Sequence, residues 1–482
     1  MALRTRLCLT VVLSLLLVFI VFINLDLGIR PRLENLATPY LSHVPSSLGK
    51  STIPSGDVAI DVNDGQVGDL DKLSAETTIP GGAHVHGFTV MDKLYLRNGT
   101  FFVLTSDVMS WPPRVNLLSH PVDLGQGDKL LPTDEDLQFV HPSRAHEILG
   151  ENVLRIPEFS VIVYDPPQFM NHFYHWWGEI ILGAWRTYSR LSMREDGKTG
   201  VLPLPSRFIL PAVDRGTWRD RAGVDGPLMR AAFPRASIEV SDYWADLRKL
   251  NTTVVFDRAL IVSRDAAHKH PFGSVWFKMI AGTMNLTVPD NFWTPVQQSL
   301  VKNLIGHVPQ VDDHGLVVAP PALGSSRPIV TYISRQGGGR RLLEKDHEGL
   351  VVALRQLEEE GLCDVRIAQM ERLTLKEQIE LVARSTIIVG VHGNGLTHQL
   401  WMPPSKLSTV IEIVYPDSYA WDYEMLARNM GHRHYEVWND TLKTYPKGTY
   451  YKGVKISEYF HSDVIPVYGP AIAQTIRERL NE

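Results

Sequence analysis

The chain has 482 residues, more than one domain usually needs, so we expect at least two packed units. Its hydrophobic fraction of 44% and charged fraction of 21% are typical of a globular protein and exclude wholesale disorder. Lys and Arg total 48 against 53 Asp and Glu, so we expect no nucleic-acid partner, because a phosphate backbone needs a basic surface. The two cysteines, Cys8 and Cys363, exclude a disulfide scaffold and a cysteine-based zinc module.

An apolar run at 7–23 follows Arg4 and Arg6 near the N-terminus. As a helix the run is roughly 25 Å long, near the lower limit for a membrane span. The basic residues before it favour a cytoplasmic N-terminus. Because no small-residue cleavage site follows, the sequence predicts a cytoplasmic tail at 1–6 and an uncleaved transmembrane signal anchor at 7–25. A cleaved signal peptide is the alternative.

Four N-glycosylation sequons follow, at Asn98, Asn251, Asn285 and Asn439. Such sequons are modified on secreted and luminal surfaces, so they agree with a luminal body. A short span suits the thinner membranes of the early secretory pathway. We therefore predict a single-pass type II protein of the Golgi or endoplasmic reticulum membrane, which contacts the membrane through its N-terminal helix and places its head in the lumen.

Residues 26–80 are rich in Pro, Ser, Gly and Asp and have no sustained apolar period, which predicts a flexible stem. From residue 81 onward, short β-rich segments alternate with helical patterns, and we assign 81–310 to a first lobe. Within this lobe, a strand predicted at 159–164 ends in an Asp-Pro-Pro turn and is followed by a predicted helix at 171–188.

A linker is predicted at 311–328, and a more regular pattern follows it. Strands are expected at 329–334, 365–368, 386–391 and 409–414, and helices at 345–360 and 375–383. This alternation predicts an α/β unit, a parallel sheet covered on both faces, which we assign to 329–465 as the second lobe. The last segment, 466–482, contains an amphipathic helix that we expect to pack back onto the first lobe.

The strongest local signal lies where the strand at 386–391 ends. Gly393 and Gly395 bracket a turn between this strand and a helical segment, and His392, Asn394 and Thr397 flank the glycines. Glycines permit a tight turn and leave free amides at a helix start, where anions bind. The pattern is neither a Walker loop nor a dinucleotide fingerprint. It predicts a phosphate site through local geometry, although a plain strand-to-helix turn would explain the glycines alone.

A second basic cluster lies at the carboxyl end of the strand at 329–334. Arg335 ends this strand, and three glycines then present Arg340 and Arg341. Guanidinium groups suit phosphate because they stay charged and donate bidentately, while a solvated basic loop is the alternative. Glu412 lies in an apolar strand, where a carboxylate is costly unless it meets a ligand or partner. A ribose diol is one such ligand and a structural salt bridge is the other possibility.

The first lobe contains a candidate acid–base cluster. Asn171, His175 and Glu179 are spaced four apart and would share one helical face. We expect His175 to be a general base with Glu179 as its partner, although the two could also satisfy each other structurally. Trp176 is a candidate for stacking on a sugar or for the core. Arg264 follows an apolar strand and is a candidate for lining the cleft.

We expect no metal. His84 and His86 have no evident third ligand, and the Asp-x-Asp sequences at 69–71 and 134–136 lie in polar stretches. A metal-binding sequence of this kind would be expected at the end of an apolar strand.

These features together resemble glycosyltransferase family 61. The resemblance is carried by His392-Gly-Asn-Gly-Leu-Thr-His398, the Trp-Met-Pro-Pro run at 401–404, the strand around Glu412, Tyr332-Ile-Ser-Arg335 with Arg340 and Arg341, Glu377-Gln-Ile379 and the segment 422–431. A similar Asn, His and acid occur in the family near 171–179. The similarity spans roughly 81–437 and is densest after 329. The sequence departs from the family pattern at Asn394, where the family usually has Ala.

The resemblance implies a GT-B fold, in which two Rossmann-like lobes enclose a cleft. It also implies an inverting mechanism, a UDP-sugar donor held by the second lobe and no cofactor. The donor-binding residues would be Arg335, Arg340, Arg341, His392, Gly393, Asn394, Gly395, Thr397 and Glu412. The acceptor would be a glycan or glycoprotein, and xylose and N-acetylglucosamine are the favoured sugars. A luminal sugar- or nucleotide-binding pseudoenzyme and a metal-dependent GT-A transferase are the alternatives.

Overall fold

The computed structural model describes residues 67–69, 75–194, 198–318 and 327–482. The predicted tail and anchor at 1–25, most of the predicted stem and part of the predicted linker lie outside these ranges. Within these ranges, no helix has the length and apolar character that a membrane crossing requires.

The described strands form two large sheets and one small hairpin. Strands β1 to β17 are, in chain order, Val67–Asp69, His84–Val85, Phe88–Arg97, Thr100–Leu104, Leu137–Val140, Asn152–Val163, Arg207–Ile209, Ser237–Glu239, Thr253–Val262, Gln310–Val311, Val317–Val318, Ile329–Ile333, Asp364–Ala368, Ile387–Val391, Thr409–Ile413, Arg433–Trp438 and Thr441–Lys443. The first sheet has the order β5-β4-β3-β9-β6-β7-β8, with β1 beside β6 and β2 beside β3. Because β3 is antiparallel to β9 while β6 is parallel to it, this sheet is mixed.

The second sheet has the order β13-β12-β14-β15-β16-β17, and its first five strands are parallel. The strands expected at 329–334, 365–368, 386–391 and 409–414 are all present, each within a residue or so of its predicted ends. Their continuous apolar runs fit strands that are buried on both faces. Since parallel strands end at the same edge, the residues that follow β12, β14 and β15 come together there.

Helices α1 to α12 are, in chain order, Arg114–Leu117, Ala145–Leu149, Leu182–Ser189, Asp225–Ala232, Ser241–Lys249, Arg264–His268, Pro271–Trp276, Thr294–Ile305, Glu344–Glu359, Leu375–Ala383, Asp422–Met430 and Gly469–Leu480. A π-helix, Tyr174–Ile181, runs directly into α3. Short 3-10 helices lie at Pro80–Gly82, Val108–Ser110, Gly127–Leu130, Pro142–Arg144, Pro167–Phe169, Arg190–Ser192, Met279–Asn285, Met370–Arg372 and Asn394–Trp401. A capping box between Thr374 and Glu377 explains why α10 begins where it does.

The two sheets share one hydrophobic core. Trp177, from the π-helix, meets Trp401 edge to face at 5.1 Å between ring centroids. Trp293 at the start of α8 donates its indole N–H to the Leu400 carbonyl at 2.9 Å. Both predicted lobes lie within a single compact unit, Asn63–Glu482. The GT-B arrangement of lobes around a cleft stays a prediction.

The C-terminal helix α12 packs against the second sheet, not onto the first lobe as we expected. Its Ile472 and Ile476 are buried in the same cluster as Leu350 of α9. Gly469 lies so close to α9 that an added Cβ would be 2.7 Å from the Gly349 carbonyl oxygen. The helix therefore completes one face of the second sheet.

Candidate active site

The glycine turn follows β14 at the carboxyl edge of the second sheet. The segment after it, Asn394–Trp401, is a 3-10 helix. At Gly393 the backbone φ is 152°, and a Cβ there would lie 1.7 Å from Arg335 Nη1. At Gly395 a Cβ would lie 2.8 Å from Ile333 Cγ2. Both glycines are therefore required by close packing, and Gly393 in particular makes room for a guanidinium group.

Two of the three predicted arginines converge on this turn. Arg335 and Arg340 each donate from Nη1 to the His392 carbonyl, Arg340 at 2.9 Å. Among the described residues neither guanidinium has a carboxylate within ion-pair distance, and burial lowers the pKa of both. Arg341 instead points to the surface, where it pairs with Asp463 at 2.9 Å. The structure thus brings together two partly buried cations without counter-ions, a setting that attracts an anion.

Glu412 is completely buried and both of its oxygens are used. Oε1 accepts from His392 Nδ1 at 2.5 Å and Oε2 accepts from His434 Nε2 at 2.8 Å. Burial raises the pKa of the Glu412 carboxyl, and the hydrogen bond from His392 opposes that shift. The expectation that Glu412 meets a ribose is therefore corrected. Glu412 instead orients the imidazole of His392. This agrees with the alternative of a structural partner for Glu412.

The predicted acid–base pair is formed in the π-helix. His175 Nδ1 lies 2.7 Å from Glu179 Oε2. Glu179 also accepts from Arg264 Nη1 at 2.6 Å and from the Met279 amide at 3.0 Å. Its side chain is 1% exposed, whereas that of His175 is 24% exposed. Glu179 is therefore out of reach of a substrate, and the imidazole of His175 is the accessible member of the pair.

The ionisation of Glu179 follows from these partners. Burial alone would raise the pKa of Glu179, but the charges of Arg264 and His175 outweigh it and hold this pKa well below its usual range. A permanent carboxylate accepts the Nδ1–H of His175 and leaves Nε2 as the ring nitrogen that can take a proton. Arg264 is thus buried beside the pair and does not line an open cleft.

Two other acceptor-side predictions are corrected. The π-helix begins at Tyr174, so Asn171 precedes it, is exposed and does not share a helical face with His175. Trp176 is fully buried, with its ring 4.9 Å from that of Trp218. The structure places this indole in the core, where its face is covered. Thr397, which was predicted on the donor side, is also fully buried, and no described residue hydrogen-bonds to its hydroxyl.

The π-helix and the glycine turn are in direct contact. The Tyr174 amide donates to Asn394 Oδ1 at 3.4 Å, so the residue next to His175 touches the residue between the two glycines. The Tyr423 ring lies between the two segments, 5.5 Å from the Tyr174 ring and 5.0 Å from the His392 ring. The acid–base pair and the two arginines therefore belong to one site.

Sequence reasoning missed a second buried ion pair at this site. Lys278 Nζ lies 2.9 Å from Asp422 Oδ2, and both side chains are mostly buried. The charges of Asp422 and Glu179 raise the pKa of Lys278 despite its burial. Asp422 stood in a segment that resembles the family, but Lys278 lies far away in the chain and carried no local signal.

The four sequons lie at the surface. Asn98, Asn251 and Asn285 are exposed and Asn439 is half-buried. All except Asn285 adopt a positive φ, as expected of asparagines in tight turns. These positions are accessible to a glycan, while the modification itself stays a prediction.

The comparison with known families matches the segment that contains this site. Residues 173–411 match the model of the family described as Glycosyltransferase 61. The predicted resemblance to family 61 is confirmed. The matched segment contains His175, Glu179, both converging arginines and the glycine turn, and it ends one residue before Glu412.

A curated relative agrees with the family 61 match. The chain is 32% identical over 118 residues to the EGF domain-specific O-linked N-acetylglucosamine transferase of Drosophila melanogaster. The aligned part covers 24% of this chain and 21% of that relative's length. The family 61 match and this relative together support glycosyltransferase activity.

Proposed function

We propose that the chain is an inverting glycosyltransferase of the Golgi or endoplasmic reticulum membrane. It transfers a sugar, with xylose or N-acetylglucosamine favoured, from a UDP-sugar to a hydroxyl of a glycan or glycoprotein. The contact between the Tyr174 amide and Asn394 Oδ1 carries the proposal, because it sets an imidazole base beside two unpaired guanidinium groups. The name of the Drosophila relative adds weight to N-acetylglucosamine and to a protein acceptor.

The donor pyrophosphate would bind at the glycine turn. Its oxygens would replace the His392 carbonyl as the acceptor for Arg335 and Arg340, with the turn amides as further donors. Each charge-assisted hydrogen bond contributes about 1.5–3 kcal/mol. In this proposal the two guanidinium groups neutralise the departing UDP, so the leaving group needs no divalent ion.

The acceptor would react on the side of His175. As the acceptor oxygen forms its bond to the anomeric carbon, its proton passes to His175 Nε2 and the bond from that carbon to UDP breaks. Attack opposite the leaving group inverts the configuration. Glu179, held ionised by Arg264, stabilises the imidazolium and keeps the ring oriented.

A donor screen on the full-length protein in detergent tests the proposal. UDP release is measured with UDP-xylose and with UDP-N-acetylglucosamine, each with acceptor glycopeptides. We expect turnover with one donor and a loss of turnover in R335A and R340A. R341A is the matched control, because Arg341 pairs with Asp463 at the surface.

Two results would favour the alternatives. UDP binding without turnover of any UDP-sugar would indicate a pseudoenzyme. Turnover that stops within seconds of adding a chelator and returns with Mn²⁺ would indicate an exchangeable ion on the donor, as in the GT-A class.

A further inference from the structure

Three buried carboxylates, Glu412, Glu424 and Glu436, and the mostly buried Asp422 lie near the carboxyl edge of the second sheet, behind the glycine turn. Two of them have a cation of their own. Asp422 pairs with Lys278 at 2.9 Å, and Glu424 pairs with Arg428 at 2.6 Å. The other two, Glu412 and Glu436, have no Lys or Arg within ion-pair distance among the described residues.

Glu412 and Glu436 are directly opposite each other on the parallel strands β15 and β16, so their side chains project from the same face. Within the described ranges, the two oxygens of Glu412 accept only from the imidazoles of His392 and His434. Glu436 is 0% exposed, and among the described residues neither of its oxygens has a hydrogen bond of ordinary geometry, although the Ala420 amide lies nearby. An unsatisfied carboxylate in the interior is destabilising by several kcal/mol, so Glu436 requires a partner.

A third potential ligand completes the group. One ligand atom each from Glu412, His434 and Glu436 lies within 4.8 Å of the others. His434 supplies an imidazole nitrogen beside the two carboxylates, and imidazole is a common ligand of divalent transition metals. When an ion binds at Nε2, the neutral imidazole carries its one proton on Nδ1, and the present hydrogen bond from Nε2–H to Glu412 Oε2 is given up.

We propose that Glu412, His434 and Glu436 bind one divalent transition-metal ion. One imidazole nitrogen with two carboxylates is a ligand set suited to Zn²⁺ or Mn²⁺. A charge of +2 would neutralise the two carboxylates that have no fixed cation. The ion would also join β15 to β16 at the level of Glu412, the residue that holds His392.

This ion has a structural role and stands apart from the proposed transfer chemistry. All three ligands are buried, and Glu412 lies behind the imidazole of His392, whereas the two arginines contact the carbonyl of the same residue. The ion therefore exchanges slowly and does not contact the leaving group. Its loss would loosen β15 and β16, and with them the position of the glycine turn next to His392.

Metal content and thermal unfolding test the site in tag-free, full-length protein. Inductively coupled plasma mass spectrometry is expected to find about one Zn²⁺ or Mn²⁺ per chain after brief chelation. Prolonged chelation at raised temperature is expected to remove it and to lower Tm, and adding the same metal is expected to restore Tm. E436Q is expected to hold the ion at least tenfold more weakly, because an amide oxygen is a poorer ligand than a carboxylate.

Asp225 supplies the matched control. It is a buried carboxyl whose two oxygens also lack hydrogen-bond partners, and burial raises its pKa to about 9. D225N is expected to keep the metal content of the unaltered protein.

Three results would contradict the proposed metal site. The first is a protein purified without a stoichiometric metal whose Tm does not rise with Zn²⁺ or Mn²⁺. The second is an ion that E436Q retains at full affinity. The third is a metal-free E436Q that is more stable than the parent, which would show that Glu436 is simply protonated. If E436Q fails to fold, the metal content of the unaltered protein and its response to chelation decide the question.

Discussion

Arg264 Nη1 lies 2.6 Å from the same Glu179 oxygen that accepts from His175. The guanidinium and the imidazole share one buried carboxylate, so Glu179 stays ionised without meeting solvent. This relationship assigns different roles to the pair that the sequence predicted. In the proposed mechanism His175 would touch the substrate, whereas Glu179 and Arg264 would position it.

The first prediction concerns the base. H175A is expected to lower kcat by about 10²–10⁴, the usual contribution of a general base. E179Q is expected to lower kcat less while leaving KM for the donor nearly unchanged, because it alters the imidazole and not the arginines. Both are measured as steady-state sugar transfer.

His172 is the control imidazole, since its ring lies 4.9 Å from that of His175 and the residue is exposed. H172A is expected to retain most of the activity. If H172A is the inactive variant and H175A is active, the base is His172.

The second prediction concerns stability against pH. The pKa of Glu179 in the folded protein is held well below its ordinary value of 4.5, chiefly because Arg264 and His175 outweigh burial. The unfolded chain therefore binds this proton first as the pH falls. Stability from Glu179 is present above pH 4.5 and is lost as the pH falls toward the folded pKa.

E179Q removes this titration, so its Tm is expected to fall less steeply than that of the unaltered protein between about pH 4.5 and 3. Thermal unfolding across a pH series measures how steeply Tm changes with pH in E179Q and in the unaltered protein. Identical slopes would show that Glu179 titrates alike in the folded and unfolded states.

The third prediction concerns the donor site. R335A and R340A are each expected to weaken UDP binding by about 10–150-fold, which corresponds to one charge-assisted hydrogen bond of about 1.5–3 kcal/mol. R341A is expected to stay within about twofold, because exposed ion pairs contribute little. Calorimetric titration with UDP measures all three. Equal losses in R340A and R341A would contradict the division of roles seen here.

The fourth prediction concerns Gly393. An alanine there would place its Cβ 1.7 Å from Arg335 Nη1 and drive the guanidinium away from the turn. G393A is therefore expected to resemble R335A in UDP affinity. Gly339 has no atom within 4 Å of an added Cβ, so G339A is the control and is expected to bind UDP normally. UDP affinity that survives in G393A would place the phosphates elsewhere.

Local patterns predicted the second sheet well and the site in part. Continuous apolar runs between turn residues indicated the strands around Ile388 and Ile411, and glycine spacing located the turn at Gly393. The π-helix was not foreseen, because hydrophobic periodicity does not separate it from an α-helix over eight residues. Asn171 was placed on the shared helical face for a different reason, because the helix was predicted to begin at 171 and in fact begins at Tyr174.

Other parts of the site depend on tertiary contacts. Glu412 had two explanations in the sequence, a ribose or an ion pair, and only the position of His434 on the next strand distinguishes them. Lys278 and Asp422 meet because separate segments pack together. A single sequence contains no local trace of such a pairing.

The contact between Trp177 and Trp401 limits how substrates enter. Swinging the two sheets apart as rigid bodies would expose both indoles. At about 200 Å² for each ring and about 25 cal/mol per Å², this would require about 10 kcal/mol, comparable to the whole stability of a typical domain. A hinge motion of that kind is rare. In the proposed mechanism, substrates therefore reach the site through rotation of single side chains at its rim, including those of Arg335 and Arg340.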